Sequence, residues 1–241
     1  MMHIYPADLL LLEHTFFASR EIDPLYASEP LIGNYALTYG LGLCNAPYRW
    51  DGGPRYKEDL TPLNEQGLYI TPAHFSSLRM TLTRFNGQID SYYSRFAQNA
   101  VTLQRDQKEK VRATNFPQSG RIRMLGLNSR AHFFLLDRDH LIAQGKGPRL
   151  LPYIRLGKFM SKARITWQKM VTPQLLQSSD AKVYGLLNAA DIENTTGLLV
   201  FSSYNIHPAP VLRDVQMSGQ FWQLSSDRLL PTGMRYGVEK L

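Results

Sequence analysis

The sequence contains a single cysteine, Cys44, among its 241 residues. One cysteine excludes an internal disulfide and any zinc site built from several cysteines. There is no run of about 18 apolar residues, so we expect no membrane-spanning helix and no membrane partner. The amino-terminal segment lacks a basic start, and Asp8 and Glu13 flank its apolar run. We therefore expect no signal peptide and a cytoplasmic location.

Motifs for metal binding and catalysis are also missing. The six histidines show no metal-ligand spacing, and the sequence has neither an H-E-x-x-H nor a paired-acid motif. Gly157 does not belong to a Walker loop, because no glycine lies five residues before it and Phe159 replaces the required Ser or Thr. We predict no metal, no cofactor and no catalytic residue. Metal-independent RNA cleavage needs only a base, an acid and a cation, so a His or Tyr near Lys158 or Lys162 keeps a nuclease open as an alternative.

What the sequence does have is positive charge, concentrated in the middle of the chain. The formal net charge is +7, yet residues 79–169 alone contain 18 Lys and Arg against 5 Asp and Glu. Positive charges that are concentrated in this way repel one another. A bound phosphate backbone neutralises them and releases counterions, which favours binding. We predict that this segment forms a nucleic-acid-binding surface. The alternatives are a solvated basic face and a structural adaptor that meets acidic protein surfaces.

Apolar patterns near the start of the chain predict a strand followed by a helix. Residues 4–18 form a long β-prone run, which is typical of a central strand covered on both sides. The following apolar residues recur every four positions and predict a helix capped by Ser28; they are Leu31, Tyr35, Tyr39 and Leu43. The turn-rich residues 46–67 predict an irregular connection between elements.

The rest of the chain favours strands. Residues 81–117 mix aromatic and basic side chains without a core pattern and predict an irregular excursion. Elsewhere the predicted strands are 68–71, 121–127, 131–136, 150–156 and 163–170, with shorter ones near 183–189, 197–203 and 211–217. This order predicts an α+β fold dominated by antiparallel sheet, with residues 1–241 as a single domain.

The first candidate site is a basic hairpin around Gly157, a residue that permits close backbone approaches. Phe159 or Trp167 could stack on a base, although Trp167 alternates with apolar residues and is better explained as core. The hairpin's four cations would meet phosphates; they are Arg155, Lys158, Lys162 and Arg164. The alternative is an ordinary hairpin with solvated lysines.

The second candidate site is a turn that leads into a strand. Arg121 and Arg123 project from one face of this strand, at a spacing near that of successive phosphates. Asn115 and Gln118 in the turn could hydrogen-bond base edges, or could simply be polar turn residues.

The third candidate site surrounds Arg84, which lies among scattered aromatic residues. Basic residues interleaved with aromatic ones suit unpaired bases, whose ring faces are accessible. The alternative is that these aromatic residues anchor the excursion to the core. They are Phe85, Tyr92, Tyr93 and Phe96.

Several of these segments resemble the type I-D member of the Cas-five family of CRISPR-associated proteins, a subunit of the Cascade surveillance complex. The matching segments occur in the same order over most of the chain. They are residues 11–21, 29–37, 83–86, 115–118, 120–123 and 155–164.

The resemblance implies a ferredoxin-like (RRM-like) core of the repeat-associated RNA-binding (RAMP) kind, with an inserted β-hairpin or thumb. It implies one copy per complex, gripping the 5′ handle of the guide RNA (crRNA), capping the filament of backbone subunits and touching the large subunit. Target DNA would lie nearby, where its protospacer-adjacent motif (PAM) is read. A related subunit of another CRISPR type cleaves precursor RNA, whereas type I-D complexes are expected to have a separate processing nuclease. Together with the charge excess, the resemblance predicts the RNA-binding residues Arg20, Arg84, Asn115, Phe116, Gln118, Arg121, Arg123, Arg155, Lys158, Lys162 and Arg164.

Overall fold

The fold was analysed in a computed structural model, and the structure describes residues 2–22, 25–44, 54–86, 92–95, 100–103, 112–114, 119–193 and 197–240. These residues form nineteen strands, two α-helices and short 3-10 turns. The helices are α1 (Asn34–Gly40) and α2 (Tyr56–Glu65). The strands are β1 (His3–Leu11), β2 (Arg20–Ile22), β3 (Leu25–Ala27), β4 (Leu31–Ile32), β5 (Leu68–Ile70), β6 (Ala73–Ser77), β7 (Met80–Asn86), β8 (Tyr92–Arg95), β9 (Ala100–Leu103), β10 (Arg112–Thr114), β11 (Ser119–Leu125), β12 (Arg130–Asp137), β13 (Tyr153–Leu156), β14 (Ser161–Trp167), β15 (Gln174–Lys182), β16 (Leu187–Asn188), β17 (Leu198–Tyr204), β18 (Val211–Ser225) and β19 (Arg228–Pro231).

An antiparallel seven-stranded sheet forms the centre of the fold. Its strand order is β13-β14-β1-β12-β6-β4, and β5 also pairs with β12. One face of β1 packs into the main core through Tyr5, Ala7, Leu9 and Leu11. Leu37 of α1 enters the same core, so α1 covers this face. The expected central strand is therefore confirmed, although it ends at Leu11 rather than at residue 18.

The opposite face of this sheet is only half covered. A carboxy-terminal sheet, in which the long strand β18 pairs with β15, β16, β17 and β19, packs over one end of it. There Ile4, Phe134 and Leu136 join a second apolar cluster with Leu230, and Tyr184 meets the Phe134 ring edge-on. The other end of the same face carries polar and charged side chains that remain accessible to solvent.

Two smaller sheets complete the described structure. The first has the order β2-β3-β11-β7, and its Tyr26, Ile122 and Met124 pack with Phe16 in a small apolar cluster separate from the main core. Thr15, in the segment that follows β1, is joined to Leu125 of this sheet by an isolated β-bridge. The second is antiparallel, with the order β10-β9-β8.

A buried carboxylate joins the carboxy-terminal part of the chain to α1 and β5. Asp191 accepts hydrogen bonds from Asn34 Nδ2 at 2.6 Å, Tyr35 Oη at 2.8 Å, Tyr69 Oη at 2.9 Å and the Gly237 N–H at 2.8 Å. Burial raises the pKa of Asp191 to about 6, although the hydrogen bonds act in the opposite direction. The four donors compensate the charged form of a carboxyl group that water cannot reach.

The strand-rich α+β class is confirmed, but several elements differ from the prediction. The predicted helix is shorter, since β4 precedes α1 and Gly33 occupies the N-cap position. Ser28 cannot cap it, because its hydroxyl group is hydrogen-bonded to the backbone N–H and carbonyl of Phe17 at 2.9 and 3.0 Å. The turn-rich residues 46–67 include α2, and the described part of residues 81–117 forms strands.

Candidate nucleic-acid interface

The open end of the central sheet carries a row of cations, which we call the hairpin face. The hairpin of β13 and β14 pairs Arg155 with Lys162 and Tyr153 with Arg164. Leu10 of β1 lies next to Arg164 on one side and next to Arg130 of β12 on the other. Cross-strand partners share one face of a sheet, so these side chains point the same way. The hairpin face consists of Arg130, Tyr153, Arg155, Lys162 and Arg164, all of them exposed, together with Lys158 in the turn.

Gly157 and Phe16 fix the turn of this hairpin. Gly157 has a φ of +71° and lies so close to the Phe16 carbonyl oxygen that a β-carbon would be 2.5 Å from it. The next residue, Lys158, donates its backbone N–H to the same oxygen at 2.8 Å. Ser161 then donates its hydroxyl to the His14 carbonyl at 2.7 Å. A glycine is required here because only a backbone without a β-carbon can approach the neighbouring segment this closely.

Two aromatic side chains accompany these cations. Tyr153 is 50% exposed, and Lys162 Nζ lies 5.0 Å from the centroid of its ring. Phe159 is 56% exposed and stacks on Phe16 with a centroid distance of 5.4 Å. Trp167 faces the core instead, where its indole N–H donates to the Leu151 carbonyl and its ring meets Phe133 edge-on. The core interpretation of Trp167 is therefore confirmed.

Acidic groups compensate only part of this charge. Glu13 Oε2 accepts the backbone N–H of Lys162 at 2.7 Å and lies 4.0 Å from Arg155 Nη1. Arg155 also donates to the Met160 carbonyl at 3.0 Å. Within the described part of the chain, the side chains of Lys158, Lys162 and Arg164 form no ion pair with an acidic residue. They are exposed cations available to an external anion.

Four other predicted residues meet on the sheet formed by β2, β3, β11 and β7, on what we call the arginine face. Arg121 lies directly opposite Arg84. Arg123 pairs with Ala27 of β3, which in turn pairs with Arg20 of β2. Arg20 forms an ion pair with the largely buried Glu29 at 2.7 Å. The arginine face consists of Arg20, Arg84, Arg121 and Arg123.

The hairpin face and the arginine face are separate surfaces. Ile122 and Met124 point to the side of β11 opposite to the arginines and pack against Phe16. Phe16 in turn stacks on Phe159 of the hairpin turn. An apolar layer therefore lies between the two faces, so the predicted cations form two groups rather than one continuous surface.

An imidazole–carboxylate pair lies one row further along the open face. His132 of β12 and Asp8 of β1 are cross-strand partners, and His132 Nδ1 is in ion-pair contact with Asp8 Oδ1. Asp8 Oδ2 accepts a hydrogen bond from Gln168 Nε2 at 2.7 Å. Beside them, burial and the neighbouring His132 and Arg228 lower the pKa of His74 to about 4. A carboxylate that orients an imidazole is a recurring element of acid–base sites.

Some predicted residues lie outside the described structure, and sequence reasoning missed others. Asn115, Phe116 and Gln118 lie outside the described residues. Arg130 and Tyr153 were not singled out, although both lie on the hairpin face. The alternation of side chains along a strand could have identified them. Each residue begins a strand and precedes an apolar residue that points into the core, so its own side chain points away from the core.

The described residues contain neither a helix that could span a membrane nor a metal-binding cluster. No helix there is long and apolar enough to cross a membrane. No group of three or more His, Cys, Asp or Glu side chains among them could hold a metal ion.

Comparison with known proteins gives one extensive match. Residues 2–239 match the family described as type I-D CRISPR-associated protein Cas5/Csc1. None of the curated proteins matches the chain.

Two solved structures resemble the chain at low sequence identity. One is a chain of the type III-B Cmr-beta complex bound to cognate target RNA and AMPPnP, with 8% identity and a TM-score of 0.47, covering 88% of this chain and 86% of that one. The other is a CRISPR protein from Archaeoglobus fulgidus, with 13% identity and a TM-score of 0.42, covering 95% of this chain and 97% of that one.

Proposed function

Because the chain belongs to the type I-D CRISPR-associated protein Cas5/Csc1 family, we propose that it is the guide-RNA-binding subunit of a type I-D Cascade complex. In this role it holds the 5′ handle of the guide RNA without cutting it. It caps the filament of backbone subunits and contacts the large subunit, close to the PAM of the target DNA. The partners follow from the family, and the RNA-binding residues follow from the surface of this chain.

The observation that carries the proposal is the hairpin face. Lys158, Lys162 and Arg164 are exposed, and no described acidic residue pairs with their side chains. Exposed cations without an acidic partner bind a phosphate backbone favourably, through direct contacts and through the release of counterions. Lys162 and Arg164 lie on a strand, and Lys158 lies in a turn that is hydrogen-bonded to Phe16, so their spacing is fixed and favours a defined path for the RNA backbone.

The exposed aromatic ring favours a single strand over a duplex. Tyr153 lies between the cations with half of its surface accessible. Unpaired bases can stack on such a ring, whereas bases in a duplex are already stacked on one another. A positively charged sheet face with one stacking platform therefore suits the unpaired end of a guide RNA.

The finer architecture that the family implies is part of the same proposal. The central sheet with α1 and α2 would be an elaborated ferredoxin-like core of the RAMP kind. The small sheet of β8, β9 and β10 would be the inserted thumb, since it lies between β7 and β11 in the chain.

Lysine substitutions on the hairpin face test RNA binding directly. Affinity of the purified chain for a 5′-handle RNA is measured across salt concentrations for the wild type and for Lys158→Ala/Lys162→Ala. We expect weaker binding and a logarithmic salt slope that falls by about 0.7 for each phosphate of a single strand that the variant no longer neutralises. Lys146→Ala/Lys182→Ala removes the same charge from exposed positions elsewhere and should leave the affinity near the wild-type value. Unchanged affinity and slope in Lys158→Ala/Lys162→Ala would rule out the assignment.

A metal-independent endoribonuclease is the second candidate function, and the contact between Asp8 and His132 is the observation that favours it. The carboxylate would orient the imidazole so that Nε2 removes the proton from a ribose 2′-hydroxyl. The 2′-oxygen would then attack phosphorus and the bond to the 5′-oxygen would break, giving a 2′,3′-cyclic phosphate and a 5′-hydroxyl whose proton comes from water. Arg130 and Arg164, one row away on the same face, would stabilise the charge that develops on the phosphate.

Incubation of the purified chain with repeat RNA in EDTA separates the two candidates. The binding proposal predicts intact RNA for the wild type and for His132→Ala alike. A discrete cut by the wild type that His132→Ala abolishes would establish the nuclease instead. A cut that survives in His132→Ala would point to a contaminating enzyme and leave the binding proposal in place.

A further inference from the structure

The arginine face carries a like-charge repulsion that no ion pair among the described residues relieves. Arg84 and Arg121 are directly opposite on antiparallel strands, with their α-carbons about 5 Å apart. Like charges in this arrangement repel each other and destabilise the pair of strands. Neither of these guanidinium groups forms an ion pair with an acidic residue in the described part of the chain.

The neighbouring Arg123 has an unused donor. Its Nε atom is buried, and the described residues provide no hydrogen-bond partner for it. Burying a charged donor without a partner is costly, so a buried donor of this kind nearly always has a hydrogen-bond partner. Arg121 and Arg123 project from the same face about 6.7 Å apart along β11, and Arg84 adds a third guanidinium beside Arg121.

A planar guanidinium group favours a particular anion. Its fork of N–H donors matches the oxygens of a phosphate or a carboxylate in pairs. Three such groups in regular spacing fit consecutive phosphates of a polynucleotide backbone better than one isolated anion. The face also exposes Leu82 and Ile22, which can lie against sugars or bases.

We propose that Arg84, Arg121 and Arg123 form a second phosphate-binding surface, which holds a separate stretch of polynucleotide backbone at the same time as the hairpin face. This inference rests on the proposed function only in that the hairpin face is already occupied by guide RNA. The separation follows from the apolar layer of Phe16, Ile122 and Met124, which lies between the two faces. One chain therefore contacts two backbone segments on two different sides.

Binding stoichiometry tests this inference. The purified full chain is titrated in a calorimeter at low salt with a short single-stranded RNA, and the number of strands bound is compared among four proteins. We expect the wild type to bind two strands. Arg84→Gln/Arg121→Gln should bind one strand, at the hairpin face. Arg155→Gln/Arg164→Gln should also bind one strand, at the arginine face. Arg84→Lys/Arg121→Lys keeps the charge and should retain two strands, with weaker binding at the second surface because lysine cannot form the paired hydrogen bonds.

A second titration identifies which nucleic acid the arginine face prefers. The chain is first loaded with one equivalent of the RNA, and either more RNA or a short DNA duplex is then added. Uptake of the duplex by the wild type but not by Arg84→Gln/Arg121→Gln assigns the second surface to DNA. Binding of a second RNA strand without uptake of the duplex assigns it to RNA. Lys146→Gln/Arg149→Gln, with the same loss of charge on another exposed segment, controls for the change in net charge.

The outcomes separate this inference from the proposed function. If Arg84→Gln/Arg121→Gln binds as many strands as the wild type, the second surface is wrong and the hairpin face is unaffected. If Arg155→Gln/Arg164→Gln keeps both strands, the proposed RNA site fails while the second surface stands. If either variant loses all binding, the two faces form one site and their independence is wrong. If the wild type binds a single strand, the second surface is wrong. Thermal unfolding of each variant shows that the loss is not due to misfolding.

Discussion

A β-carbon added to Gly157 would lie 2.5 Å from the carbonyl oxygen of Phe16. Contacts this short do not occur between a side chain and backbone, so Gly157→Ala must displace the hairpin turn or the segment beneath it. We expect the free energy of unfolding to fall by about 2–3 kcal/mol, as the sum of backbone strain at positive φ and the steric clash. Urea unfolding measures this change.

Gly145→Ala is the matched control for this substitution. Gly145 has a nearly equal φ of +69°, but nothing lies within 4 Å of its hypothetical β-carbon. Gly145→Ala should lower the free energy of unfolding only by the cost of backbone strain at positive φ, about 1 kcal/mol. Equal losses at the two glycines would contradict the clash between Gly157 and Phe16.

Removal of the Tyr153 ring should weaken RNA binding without a large effect on folding. The ring is half exposed and contacts Lys162. Stacking of one base on an aromatic side chain contributes about 1–3 kcal/mol by alanine substitution, so Tyr153→Ala should raise the Kd for RNA about 5- to 150-fold. Tyr153→Phe keeps the ring and should bind nearly as well as the wild type. A similar loss in both variants would assign the effect to the hydroxyl group instead of stacking.

Neutralising Arg84 should stabilise the free protein slightly. Arg84→Gln removes the repulsion with Arg121 across β7 and β11. Because the pair is exposed and screened, we expect a gain of about 0.3 kcal/mol at low salt, and less at high salt. Urea unfolding at two salt concentrations checks this, with Arg149→Gln as an exposed control. A loss of stability would mean that Arg84 has a structural partner.

The buried Asp191 should impose a pH dependence on stability. Its pKa of about 6 in the folded protein exceeds the ordinary value of 3.8. Between these values the folded state binds more protons than the unfolded state, so the contribution of Asp191 to stability falls as the pH rises from 4 to 6. Relative to Asp191→Asn, the unfolding free energy of the wild type should fall by about 3 kcal/mol over this range.

Two variants check the origin of this slope. Tyr35→Phe removes one donor to the carboxylate, so the pKa of Asp191 should rise further. The decrease of the unfolding free energy with pH should then extend above pH 6. Asp180→Asn, at an exposed position, should leave the slope unchanged. Parallel pH profiles for the wild type and Asp191→Asn would show that another group is responsible.

His74 should remain neutral well below the usual range for histidine. Burial, followed by the charges of His132 and Arg228, lowers its pKa to about 4. Its contribution to stability is fully present above pH 6.5 and is lost as the pH falls towards 4, since the unfolded chain takes up a proton that the folded chain does not. The chemical shift of the His74 ring protons, followed by NMR, should show a midpoint near 4. A midpoint near 6.5 would contradict the burial of this side chain between the two sheets.

The sequence predicted much of the central sheet because its strands carry strong periodic signals. β14 alternates strictly between buried and exposed side chains, so its position and its outward cations could both be derived. Arg155 and Arg164 are therefore on the expected strands, whereas Arg130 and Lys162 lie on strands that begin earlier than predicted. Trp167 follows the same alternation and lies in the core as expected.

The elements that were wrong or missed depend on distant contacts. The helix prediction failed at its start, because Ser28 bonds to Phe17 instead of capping a helix, and no local pattern reveals that partner. α2 contains Pro62 and few apolar residues, so its periodicity is weak. The separation of the arginine face from the hairpin face could not be predicted either, since it depends on how Phe16 packs between two sheets.

The central position of β1 has a consequence for how the protein forms during synthesis. Leu10 pairs with Arg130 and Arg164, so the two neighbours of β1 follow it by more than a hundred residues. The nascent chain must therefore carry an apolar strand with two open edges until β12 has left the ribosome, and with one open edge until β14 has followed. Closure over such separations is slow and leaves the strand exposed to other chains. Release of chains that end before β14 should thus favour aggregation, with β1 as the segment that pairs.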